Sequence, residues 1–149
     1  MIINNSLMKR FLFVLISIFL FVGSIMAQSS DPCDIVEAYV DQTKASIQFP
    51  IKVADRMYIQ DFYTGQYSVV MVYKTTNAST FYYWRDHPKQ LKKSVMEANK
   101  QMYKSQHDTM MPFLKAIIAC GKNFKCIYNY YEQQMVVYLE RKDIENIMK

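Results

Sequence analysis

Between Lys89 and Gly121 apolar residues recur every three or four positions. Leu91, Val95, Ala98, Met102, Met110, Phe113 and Ile117 share one face, and Gln106 is the single gap in the series. Lys92, Lys93, Lys100, Lys104 and Lys115 occupy much of the other side. This spacing predicts a long amphipathic helix whose apolar stripe must lie on a second layer. Asp86 and Pro88 supply its start signal and Gly121 its stop. Pro112 falls inside it, where proline removes a backbone hydrogen bond and clashes one turn back, at roughly 3 kcal/mol. The helix is therefore expected to kink or to break into two collinear pieces, with Asp108 and Thr109 opening the second.

Earlier in the chain, Asp31-Pro32 reads as another helix start. Ile35, Val36, Tyr39, Val40 and Thr43 continue it as a short amphipathic helix to about Ser46, before Phe49-Pro50 breaks it. From Met57 the period changes to two. Met57, Ile59 and Tyr63 share one parity with Asp61 interrupting, and Tyr67, Val69, Met71 and Tyr73 continue after Thr64-Gly65. Two β-rich runs around a glycine turn predict a hairpin. Phe124–Tyr131 and Gln134–Arg141 predict a second, around Glu132-Gln133, and Asp143 caps a terminal helical turn. Ile59 to Gln66 matches Ile127 to Gln134 in the pattern Ile-x-Asp/Asn-aromatic-Tyr-x-x-Gln. That match raises a helix–hairpin duplication over 31–75 and 86–141. The expected fold is α+β: a four-stranded antiparallel sheet made of two β-hairpins, packed by one long helix plus a short N-terminal helix.

The first 27 residues read as a leader. Lys9-Arg10 precedes the apolar run Phe11–Val22, and Ile25-Met26-Ala27 offers a small residue for cleavage after Ala27. The run is too short for a membrane span, which needs about 20 residues, so no span is expected after cleavage. Residues 28–149 then form one domain, periplasmic or secreted. The whole chain holds 18 basic and 13 acidic residues. Both charges of the leader are basic, which leaves the remainder at +3. A balance that mild, on an exported chain, argues against nucleic acid. The charge is uneven, however: residues 28–84 sum to −2 and 85–125 to +6. A basic helix face of this kind suits an acidic partner, an anionic membrane surface or plain solvation.

Three cysteines in an oxidising compartment leave at least one unpaired within the chain. Cys120 and Cys126 flank the turn between helix end and strand and are the first candidate pair. A bridge from Cys33 to one of them, tying the N-terminal helix to the body, is the other. Catalytic and metal chemistry find little support. Structural zinc wants four ligands in paired short spacings, whereas His87 and His107 stand far apart along the helix. The chain has no Gly-x-Ser-x-Gly, no His-Glu-x-x-His and no glycine-rich phosphate loop. No catalytic residue, metal or cofactor is assigned.

What the chain has in abundance is tyrosine, twelve in all, beside a single tryptophan. Tyrosine suits contact surfaces because it buries a large area at small entropic cost. Tyr128, Tyr130 and Tyr138 share an even parity opposite Ile127, Val137 and Leu139. If the odd-numbered set faces the helix, those tyrosines form a stripe on the open sheet face. Tyr82 and Trp84, in the run Phe81–Trp84, are the second candidate contact, with Trp84 also suited to plug the helix–sheet seam. The element order loosely resembles small exported bacterial proteins that block or hold another protein, an analogy of fold only. The expected function is a non-enzymatic binding protein with a protein partner, in an inhibitor or immunity-like role. The alternative is a carrier holding a lipid or glycan between sheet and long helix, near Met102, Met110, Val69 and Met71.

Overall fold

The computed structural model describes residues 31–149, so the leader assigned to residues 1–27 lies outside the described residues. Helix α1 (Pro32–Ser46) opens with Asp31, whose carboxylate accepts the Cys33 N–H at 2.9 Å, and with Pro32 in the first turn. A cis Phe49-Pro50 bond follows. Then come β1 (Ile51–Ala54), β2 (Met57–Thr64) and β3 (Ser68–Thr75). Three helices succeed one another: α2 (Ala78–Asp86), α3 (Pro88–Ser105) and α4 (His107–Ala119). The chain ends with β4 (Asn123–Tyr130), β5 (Gln133–Leu139) and α5 (Arg141–Ile147).

The α+β class holds, but the sheet departs from expectation. It has five strands in the order β1-β2-β3-β4-β5. β3 and β4 run parallel, Met71 beside Cys126 and Tyr73 beside Tyr128, while every other pair is antiparallel. The cause is the connection. A hairpin joins antiparallel neighbours, whereas the α2–α4 segment crosses over the sheet and returns the chain in its original direction. The fifth strand, β1, is only 4 residues long and precedes a turn in which Arg56 takes a left-handed φ of 54°.

The long helix does break, but ahead of Pro112. Gln106 leaves helical geometry at φ −128°, ψ 35° and caps α3, with its N–H donating to the Met102 carbonyl. Pro112 then sits within α4, whose first turn begins at His107. At the other end, Asp86 closes α2 rather than capping α3. His87 is the junction, and its Nδ1 lies 2.8 Å from the Tyr83 carbonyl. Gly121 ends α4 at φ 74°, with the Lys122 N–H donating to the Ile117 carbonyl. Glu140 and Asp143 form a reciprocal capping box on α5.

One core joins the layers. Leu91, Met102, Met110, Phe113 and Ile117 of the helical stripe are buried against Val69, Met71 and Val137 of the sheet. Tyr39 of α1 stacks on Phe113 of α4 at 3.9 Å between ring centroids. Cys33 is bonded to Cys120, with Cα atoms 4.9 Å apart, which clamps the start of α1 to the end of α4. The Cys120–Cys126 pairing is thereby corrected: Cys126 is free and buried in the middle of β4. Five residues lie between the two, and from Asn123 to Cys126 the chain runs along an extended strand, three steps of about 3.3 Å each, which carries Cys126 out of disulfide reach.

Candidate binding surface

The register of the sheet sorts its side chains onto two faces. Val69, Met71 and Tyr73 of β3 lie beside Phe124, Cys126 and Tyr128 of β4, and these lie beside Leu139, Val137 and Met135 of β5. This set meets the helices. The alternate set forms the open face in three cross-strand rows. Tyr63, Val70, Lys125 and Tyr138 make the first; Asp61, Val72, Ile127 and Val136 the second; Tyr58, Lys74, Asn129 and Gln134 the third.

The open face has an apolar centre and an aromatic, cationic rim. Val70 and Ile127 are buried yet stand outside the helix-side core. Tyr63 and Val136 are each 36% exposed and Tyr138 is 44% exposed. The Lys125 ammonium lies 5.5 Å from the Tyr138 ring centroid, within cation–π reach. Protein contact surfaces in general combine an apolar centre with a polar, aromatic-bearing rim.

Of the expected tyrosine stripe, only Tyr138 belongs to this face. In the β4–β5 hairpin Lys125 opposes Tyr138 and Phe124 opposes Leu139, so even positions of one strand share a face with odd positions of the other. Tyr128 therefore points into the core, where it stacks on Tyr73 at 4.8 Å, and burial raises both phenols well above their ordinary pKa. Tyr130 follows Tyr128 in parity but lies at the strand end. There it stacks on Phe81 at 5.2 Å and meets Tyr82 edge-on at 5.7 Å.

This aromatic end does bring Tyr82 and Tyr130 together. The Arg85 guanidinium covers the Tyr82 ring at 4.6 Å, and Gln133 Nε2 donates to the Tyr82 hydroxyl at 2.9 Å. Tyr131, in a left-handed turn position at φ 49°, projects from it at 73% exposure. Trp84, by contrast, is half-buried against the helix–sheet core, the plug position, with Tyr83 edge-on to it at 5.3 Å.

Val72 and Val136 carry the open face with no sequence signal of their own, and Ile127, expected on the helix side with Val137 and Leu139, joins them there. Alternation marks them as one face of a strand, but only the pairing register tells which face. The Ile59–Gln66 and Ile127–Gln134 segments are likewise placed differently, since Ile59 points into the core and Ile127 out of it.

Burial holds several titratable groups in their neutral forms. It pushes the Cys126 thiol up to about 12 and raises the Tyr39 phenol far above its usual range. A thiol held protonated in a core is a packing group rather than a nucleophile. Among the described residues no cluster of three or more His, Cys, Asp or Glu could hold a metal ion, and no helix is long and apolar enough to cross a membrane.

Comparison with known proteins yields a fold and no family. No protein-family model matches the chain, and no curated protein matches it. Among solved structures, it is similar to the crystal structure of "a putative secreted protein" from Pseudomonas aeruginosa. The TM-score is 0.57 at 9% identity, over 78% of this chain and 97% of that one. At that identity the likeness is one of fold alone.

Proposed function

We propose that this chain is an exported, non-enzymatic binding protein that engages a protein partner through the open face of its sheet. The observation that carries the reading is the apolar centre at Val70, Val72, Ile127 and Val136, rimmed by Tyr63, Tyr138 and Lys125, on the sheet face turned away from the core that the described helices share. A rigid sheet holds these side chains in fixed rows, so little conformational entropy remains to be lost on docking. Export is supported by the leader-like first 27 residues and by the Cys33–Cys120 bond, which suits an oxidising compartment. A protein built this way acts by occupying a partner's surface, as an inhibitor or immunity protein does. The carrier alternative draws less support, because Met102, Met110, Val69 and Met71 all belong to one packed core.

Photo-crosslinking in living cells tests this reading. A crosslinking residue at position 136 or 138 is expected to trap a discrete protein adduct, and one at Lys115 to trap none. Val136→Lys together with Tyr138→Lys should abolish the adduct formed from position 63. No adduct from positions 63, 136 and 138, or adducts indifferent to the double variant, would overturn it.

A further inference from the structure

The lysines of α3 are not scattered around the helix. At about 100° per residue, Lys89, Lys93, Lys100 and Lys104 fall within about 60° of arc. That arc lies opposite Leu91 and Met102, which are buried in the core. At 1.5 Å per residue the row is about 22 Å long. Lys89, Lys93 and Lys104 are exposed and Lys100 is half-buried. None of the four is in an ion pair among the described residues; the lysines that are paired are Lys44 with Asp61, Lys92 with Asp143 and Lys142 with Glu140. Residues 1–30 contain no aspartate or glutamate that could neutralise them. Glu97, at the border of the arc, is the only carboxylate of α3.

We propose that this row seats the protein on an anionic lipid surface. Four like charges left unpaired on one helix face repel one another, and a counter-charged surface relieves that repulsion. The residue type favours a membrane over an acidic protein. Protein interfaces are anchored by arginine and aromatic side chains, and none lies within the arc. Lysine ammoniums are hydrated point charges on flexible stems, matched to a flat and diffuse field rather than to a shaped site. The row is straight and lies on the helix layer, so a membrane there leaves the open sheet face turned toward solution. The inference rests on export but not on the sheet-face partner, and its test involves no partner.

The exported form of the protein, its N-terminus read by mass spectrometry, is mixed with vesicles of phosphatidylcholine alone or of phosphatidylcholine with phosphatidylglycerol, and sedimented. Binding is expected only to the anionic vesicles and should fall with added salt as the charges are screened. Each lysine contributes about 1 kcal/mol near such a surface, so each Lys→Gln change should weaken binding about fivefold. The quadruple Lys89, Lys93, Lys100 and Lys104→Gln variant should lose it. The quadruple Lys→Arg variant should keep it, because charge rather than shape is recognised. Lys74→Gln with Lys125→Gln, on the open face, should leave it unchanged. Binding to neither vesicle, equal binding to both, or retention by the quadruple glutamine variant would overturn the proposal.

Discussion

Replacing both Cys33 and Cys120 by serine should cost this domain much of its stability. The bond spans 87 residues of sequence, so its loss frees the unfolded chain from a very long loop. The chain-entropy relation puts that at about 4.5 kcal/mol. For a domain of about 120 residues the unfolding entropy translates this into a drop of roughly 18 °C in the melting temperature. Strain in the native bond would reduce the figure, so it is an upper value. The assay is thermal unfolding followed by circular dichroism, on the wild type with and without reductant and on the double variant. Thiol counting makes the pairing itself testable. The unreduced, unfolded chain should expose one reactive thiol, Cys126, and the folded chain none, since that thiol is buried and its pKa is pushed up to about 12. A loss of less than about 1 kcal/mol, set against the entropy relation, would refute the loop argument. A peptide map linking Cys120 to Cys126 would refute the pairing.

Two further outcomes follow from the core and from the capping of α5. Tyr128→Ala empties a ring stacked on Tyr73 and should destabilise the domain by about 3–5 kcal/mol, as large-to-small changes of buried aromatics do; a denaturant midpoint unchanged from wild type would place Tyr128 on the surface instead. Burial alone would raise the Asp143 pKa, but the Lys92 hydrogen bond at 2.9 Å, the Glu140 N–H and the charges of Lys92 and Lys142 outweigh it and hold the carboxyl below its ordinary value. A depressed folded-state pKa stabilises the protein above the ordinary carboxylate range, and that stability is lost as pH falls through the folded value. Asp143→Asn should therefore flatten the acid side of the melting-temperature profile as pH falls through and below the ordinary carboxylate range; an acid slope identical to wild type would exclude the contribution.

Much of the helix layer was legible in the sequence because its signals are local. The apolar stripe from Leu91 to Ile117, the Asp31-Pro32 start, the Gly121 stop and the Asp143 cap are each written within one or two turns. The two hairpins were legible for the same reason. Apart from α2, a short helix with a local Asn77 cap that was not expected, what escaped depends on how distant segments meet. Whether β3 and β4 run parallel is decided by the path of three intervening helices, not by either strand. The bulge between Ile59 and Asp61 reverses the inward set of β2 midway, putting Phe62 in the core and Tyr63 outside. The tyrosine stripe failed on a single unknown, the pairing offset across the β4–β5 turn, which exchanges even for odd positions. The partner of Cys120 depends on α1 docking against α4, a contact between segments far apart in the sequence.

The parallel seam at the middle of the sheet has a consequence for the order in which this protein is made. Ser68 cannot meet Asn123 until every residue of α2, α3 and α4 has emerged, and Cys33 must likewise wait for Cys120. Joining segments so far apart comes late in any folding route, because the chain must be gathered before the contact rewards it. A chain threaded through an export channel from its N-terminus would thus reach the far side with β1, β2 and β3 able to associate at once. The exposed flank of β3 would stay open to strangers until the final fifth of the polypeptide arrived to cover it.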